Sequence, residues 1–120
     1  MSNPSKRKGT AFETAVANYL ADRMDDDRIE RRTLQGVKDR GDVAGVRFAG
    51  KRVVVECKAT TRLEVAEWLR EAEAERVNDS ASFGVVVAKR RGVGDTRTGD
   101  QLVLMTLETF VSMLKEVRND

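Results

Sequence analysis

Histidine is absent from the 120 residues. Its absence removes Ser-His-Asp and Cys-His triads, histidine metal sites and any hydrolase that relies on a histidine base. Cysteine occurs once, at Cys57, so no disulfide can close within the chain, which suits a reducing compartment. No apolar run approaches the roughly 20 residues that span a bilayer. The opening MSNPSKRKG also lacks the apolar segment of a secretory signal. These absences predict an intracellular, cytoplasmic protein that does not enter a membrane. The chemistry that remains belongs to carboxylates, lysine, arginine and water held by a hard cation. Oxygen ligands favour magnesium (Mg2+) or manganese.

Charge is what the chain has in quantity. Charged residues make up 35% and hydrophobic residues 40%, which predicts a charge-rich surface around a modest core. The net charge of +2 says little, but its distribution says more. Lys6, Arg7 and Lys8 form one basic cluster, and Arg28, Arg31, Arg32, Lys38 and Arg40 a second. Lys89, Arg90, Arg91 and Arg97 form a third. Glu64, Glu67, Glu71, Glu73 and Glu75 make an acidic stretch between them, which reads as a solvated helix face. Basic clusters repeated in loops and termini predict a polyanionic partner.

Residues 1–8 read as a basic flexible tail and residues 9–120 as one domain. Phe12, Val16, Tyr19, Leu20 and Met24 recur at helical spacing, with Thr10 as N-cap and Glu13 completing a capping box. Ile29, Arg31 and Thr33 alternate as a short strand. DVAGVRF (residues 42–48) reads as a second strand, AGK as a hairpin turn, and RVVVECK (residues 52–58) as the strongest strand of all. Residues 63–77 predict a helix with Val65, Trp68, Leu69 and Ala72 inward. FGVVVAK is a buried strand and RRGVGDTRTGD a basic glycine-rich loop. QLVLMT is a fifth strand, and residues 107–117 a last helix with Leu107, Phe110, Val111 and Leu114 on one face. The order α-β-β-β-α-β-β-α predicts an α/β mixed five-stranded sheet flanked by helices. The glycine-rich loop lacks the GK[ST] ending of a phosphate loop, so no nucleotide cofactor is expected.

The stretch VVVECKAT (residues 53–60) carries the chemistry. Strand side chains alternate, so Val54, Glu56 and Lys58 share one face while Val53, Val55 and Cys57 share the other. A charged pair ending a buried strand must be compensated there, as a plain salt bridge or as part of a site. Asp42 opens the strand that runs antiparallel to it, which predicts that Asp42 and Glu56 face each other across the ladder. Two adjacent carboxylates repel unless a divalent cation lies between them. Asp42, Glu56 and the backbone carbonyl of Cys57 could hold such an ion, with Lys58 at the rim to stabilise a phosphate transition state. Glu13 reads as a capping residue or as a further carboxylate, and local sequence does not choose. Cys57 itself reads as a small core residue, and Trp68 as packing on the sheet or on a partner subunit.

The order of Glu13 on a helix, Gly41-Asp42, then Glu56-Cys57-Lys58 resembles the PD-(D/E)XK nuclease superfamily. KGTAFE (residues 8–13) looks like the N-terminal motif of small archaeal-type Holliday junction resolvases, and similar short chains occur in phages of actinobacteria. The resemblance runs from Lys8 to Lys89. It implies a restriction-endonuclease-like fold and a magnesium-dependent endonuclease, with manganese as a substitute, acting as a homodimer on four-way junctions in DNA. A phage-encoded copy would act inside its bacterial host. Glu13, Asp42, Glu56 and Lys58 correspond to the family's catalytic positions, with Glu13 a metal ligand directly or through water. DNA contacts are expected from Lys6, Arg7, Lys8, Arg32, Lys38, Arg40, Lys89, Arg90, Arg91 and Arg97. The helix bearing Trp68 and the strand QLVLMT are candidate dimer surfaces. Two positions depart from the family: Arg40-Gly41 precedes Asp42 without the proline, and Thr33 stands near where archaeal resolvases carry a serine. A nuclease on DNA ends, flaps or duplex remains an alternative, as does a catalytically silent DNA-binding module of the same fold.

Overall fold

The structure is a computed structural model that describes residues 4–32 and 42–118. The first helix, α1 (Pro4–Met24), starts well ahead of Thr10. A proline fits the first turn of a helix, where its missing N–H has no intrahelical partner to lose. The tail expected over residues 1–8 is therefore helical from Pro4, and Lys6, Arg7 and Lys8 stand on α1. Thr10 is an interior residue instead of a cap, and its carbonyl accepts the Thr14 hydroxyl at 2.9 Å. Glu13 consequently has no capping-box role. The helix ends where Asp25 adopts a left-handed φ of 50°. Met24, expected on the core face, is exposed at this end.

Four strand segments follow: β1 (Glu30–Arg31), β2 (Val43–Ala44), β3 (Arg47–Phe48) and β4 (Lys51–Lys58). The single strand expected over residues 42–48 is split into β2 and β3 by Gly45. That residue has φ of 88°, and a Cβ there would lie 2.5 Å from the Arg28 carbonyl oxygen. Ala49 and Gly50, with φ of 52° and 78°, close the β3–β4 hairpin as sequence reasoning expected. The chain continues through α2 (Val65–Asn78), β5 (Phe83–Ala88), a short 3-10 segment (Asp95–Asp100), β6 (Leu102–Leu104) and α3 (Leu107–Glu116).

The sheet runs β1-β2-β4-β5-β6, with β3 paired to the outer part of β4. Among the described strands only β4 and β5 are parallel, in register from Val53↔Phe83 to Lys58↔Ala88, because the α2 crossover returns the chain in the same direction. The fold is thus α/β with a mixed, open sheet of six strand segments, one more than expected, flanked by helices. Val53, Val55 and Cys57 face α1 and meet Phe12, Val16 and Ala17. On the opposite face Trp68 and Ala72 of α2 cover Val86 and Ala88. No described helix is long and apolar enough to cross a membrane.

The two glycines in the β2–β3–β4 region separate backbone conformation from space. Asparagine tolerates a left-handed φ, and position 50 is open. Gly50→Asn should cost less than about 1 kcal/mol, whereas Gly45→Asn should cost about 2–3 kcal/mol because its Cβ meets the Arg28 carbonyl. Chemical denaturation of the two variants measures the difference, and equal midpoints would contradict it.

Candidate active site

β4 delivers two charges to the place where it leaves the core. Its middle, residues 53–55, is apolar and covered on both faces, and Glu56 is still buried at 7% exposure. Lys58, one step further on the same face, is half-buried. Its Nζ lies 3.7 Å from Glu56 Oε1 and 2.5 Å from Glu71 Oε2 on α2. The ammonium thus bridges a buried carboxylate and a half-buried one. Burial opposes its charge, but the hydrogen bond to Glu71, then the charges of Glu56, Glu71 and Asp42, outweigh burial and raise its pKa. Its carboxylate partners thus favour the charged form of Lys58.

Asp42 reaches the same region by a different path from the one expected. The ladder pairs Val43 with Val55, yet the Asp42 N–H also donates to the Val55 carbonyl at 2.9 Å. Two residues of one strand thus stand against one of its neighbour, as in a β-bulge, and a bulge redirects a side chain. Asp42 is not simply opposite Glu56. Its Oδ2 accepts the Cys57 N–H at 2.7 Å, and its own carbonyl accepts the Arg32 N–H at 2.7 Å. The carboxylate is locked to the backbone of β4 between Glu56 and Lys58. Burial pushes the Cys57 thiol up, and the charges of Asp42, Glu13, Glu56 and Glu75, in that order, push it further. The thiol is thus a buried core group, as expected.

Glu13 stands on α1, and Glu56 projects from the face of β4 opposite the one that α1 covers. Glu13 accepts from Arg31 Nε at 3.2 Å, an ion pair that joins α1 to β1. Among the described residues no group of three or more cysteine, aspartate or glutamate side chains is gathered to hold a metal ion.

The expected DNA contacts divide into three groups. Lys38 and Arg40 lie outside the described residues, and so does the Lys6 side chain. Arg32 is drawn inward to the buried Asp79, 3.6 Å away, which also meets Arg52 at 3.4 Å. Lys89 donates to the Val93 carbonyl at 2.6 Å. Arg90 reaches Gln101 through its N–H and the Asp100 carbonyl through Nη1, and Arg97 pairs with Asp100. Arg7, Lys8 and Arg91 are exposed. A cleft of about 550 Å3 opens where β4 ends, lined by Lys8 and Phe12 of α1, Ala59, Thr60 and Thr61 after Lys58, and Lys89 and Asp95. Sequence reasoning missed Glu71 and Glu75, which it assigned to a solvated acidic face. The signal was available: Trp68, Ala72 and Glu75 follow one helical stripe, and all three are buried.

The thiol supplies a direct check on this geometry. In the folded protein Cys57 should resist iodoacetamide at mildly alkaline pH and react within minutes once denatured. Prompt labelling of the native protein would mean that the backbone between Asp42 and Lys58 is open. Comparison of the chain with protein-family models, curated proteins and solved structures found no match, so the functional reading rests on the residues and their geometry.

Proposed function

We propose that the chain is a metal-dependent endonuclease that hydrolyses phosphodiester bonds in DNA, with a restriction-endonuclease-like fold of the PD-(D/E)XK kind and four-way junctions as its favoured substrate. One observation carries the reading. Glu56 and Lys58 are held together at the end of a buried strand, with the Asp42 carboxylate bonded to the backbone between them. Where the chain leaves β4, a cleft is lined by Lys8, Thr60, Thr61 and Lys89, and such cationic groups and hydroxyls suit a phosphodiester backbone, which is positioned by phosphate contacts.

The donor set suits a hard cation, since Asp42, Glu56 and the Cys57 carbonyl offer only oxygen atoms. Magnesium keeps several waters and takes one or two protein carboxylates, so two carboxylates are an adequate protein contribution. When bound, it would lower the pKa of a water and offset charge on a phosphate oxygen. The chain's own residues act around that ion. Asp42 and Glu56 would fix its position, Asp42 through an orientation already set by the Cys57 N–H. Lys58 would offer a permanent positive charge to the phosphate, exchanging Glu71 for the substrate oxygen. Glu13 would add a further carboxylate, directly or through water, while its pair with Arg31 fixes β1 against α1.

A second reading, a DNA-binding module without catalysis, draws support from two observations: Glu71 already occupies Lys58, and no set of three acidic side chains is gathered among the described residues. Cleavage separates the two. Asp42→Asn and Glu56→Gln should each lower the rate by about a hundredfold or more while junction binding survives, because each removes a negative charge beside the phosphate. Lys58→Ala should fall similarly. The raised pKa of Lys58 sets the sign of its pH dependence. Its charge is fully present below the ordinary lysine pKa and is lost only as pH rises through the higher folded value. The rate should therefore show no Lys58-dependent decline from neutral to mildly alkaline pH. Undiminished cleavage by Asp42→Asn or Glu56→Gln would overturn the site. A Glu56–Lys58 pair that is purely structural would show lost stability with full activity per folded molecule.

A further inference from the structure

β1 lies at the edge of the sheet and pairs with β2 alone among the described strands. Its end is nevertheless held from both faces. Arg31 donates to Glu13 on α1 at 3.2 Å. Arg32, the next residue and so turned to the other face, comes within 3.6 Å of Asp79 at the end of α2. Asp79 occupies an unfavourable place for a carboxylate: it is buried, and it ends α2, where the helix dipole is negative. The guanidinium groups of Arg32 and Arg52 offset that cost, both at Oδ1, with Arg52 at 3.4 Å. The two arginines differ in what their backbones hold. The Arg32 N–H donates to the Asp42 carbonyl at 2.7 Å, whereas Arg52 stands near the start of β4, where its carbonyl accepts the Ser82 N–H at 3.0 Å.

We propose that Arg32 and Asp79 are positioning residues for the Asp42 carboxylate. Asp79 holds the Arg32 side chain, and the Arg32 N–H holds the Asp42 peptide from which the carboxylate reaches Cys57. Hydrogen bonding along this edge of β4 shows why that peptide matters. The Val53 N–H goes to the Val46 carbonyl, and the Val55 carbonyl accepts the Asp42 N–H. Cys57, the next residue facing this edge, finds Asp42 Oδ2 at 2.7 Å where a continued ladder would offer a carbonyl. A short edge strand frays readily unless its side chains are tied down. Arg31 ties the end of β1 to one helical layer and Arg32 ties it to the other. Releasing Arg32 would let the Asp42 peptide turn and would take the acceptor away from the Cys57 N–H. The inference rests on the nuclease reading only for the role of Asp42 as a magnesium-holding carboxylate.

Amide hydrogen exchange of the metal-free protein, followed by NMR, reads the link without catalysis. The Val86 amide, in the buried centre of β5, serves as the reference for overall stability. In Arg32→Ala and in Asp79→Asn the Cys57 amide should exchange about tenfold faster relative to Val86, the effect of losing one hydrogen bond. Arg52→Ala removes an ion pair to the same Asp79 oxygen and should move the two amides together. Should Asp79→Asn fail to fold, Arg32→Ala decides, because Arg32 is partly exposed and its loss leaves Asp79 paired with Arg52. In junction cleavage by Arg32→Ala, the magnesium concentration for half-maximal rate should rise about tenfold, since groups that orient a ligating carboxylate tune metal affinity. High magnesium should recover the wild-type rate, junction affinity should not change, and Arg52→Ala should keep the wild-type requirement. A Cys57 amide that changes no more than Val86 in Arg32→Ala overturns the proposal. Equal behaviour of Arg32→Ala and Arg52→Ala overturns it too, since the ion pairs then only hold the fold together. Lost junction affinity in Arg32→Ala at an unchanged magnesium requirement also overturns it and makes Arg32 a phosphate contact. If the wild-type chain cleaves no junction, the nuclease reading falls, and the exchange pattern still decides whether Arg32 and Asp79 hold Asp42.

Discussion

The fold is arranged around β4, which, like β5 beside it, is hydrogen-bonded on both edges and covered on both faces. Its antiparallel partners β2 and β3 lie on one side and its parallel partner β5 on the other, while α1 and α2 close the two faces. A strand so enclosed accommodates valine without cost and charge only with compensation. Glu56 is buried, so Lys58 must stand beside it, and Lys58 is itself half-buried, so Glu71 must come from α2 to meet it. The electrostatic requirement of one strand end thereby adds an ion pair between α2 and β4 to the packing of Trp68 and Ala72 on the sheet.

The same requirement explains the bulge at Asp42. A regular antiparallel ladder would add a second carboxylate directly across from Glu56, with only Lys58 to offset both. Displacing Asp42 lets its carboxylate accept the Cys57 N–H, a neutral donor that stabilises an anion without adding a countercharge. Asp42 and Glu56 remain close enough to act together on the Cys57 thiol, yet each has its own principal partner. Both carboxylates are thus compensated within the chain, Asp42 by the Cys57 N–H and Glu56 by Lys58.

Much of this was legible in the sequence because it follows from alternation. VVVECK announces a buried strand with two charges on one face, and the helical stripes of Phe12–Val16 and Trp68–Ala72 announce the layers that cover it. The parts that sequence reasoning misplaced depend on contacts between distant segments. DVAGVRF alternates like one strand, and only the approach of the Arg28 carbonyl to Gly45 breaks it in two. The basic, polar start of the chain reads as a tail, although Pro4 is a suitable first-turn residue for α1. Glu71 and Glu75 look like two of five solvated glutamates until α2 is laid on the sheet, which turns Glu75 inward and brings Glu71 to Lys58. Arg32 reads as a phosphate contact until Asp79, buried at the end of α2, draws it in.

The central claim is that these compensated charges serve hydrolysis and not only packing. The measurement that tests it most directly is single-turnover incubation of the wild-type chain with an end-labelled four-way DNA junction, with magnesium or with a chelator, beside duplex and single-stranded controls. The account predicts magnesium-dependent cuts in the junction, lost with the chelator, and slower cleavage of the controls. A chain that binds the junction tightly but leaves every strand intact at all magnesium concentrations would contradict it, leaving Glu56, Lys58 and Glu71 as a structural network in a binding module.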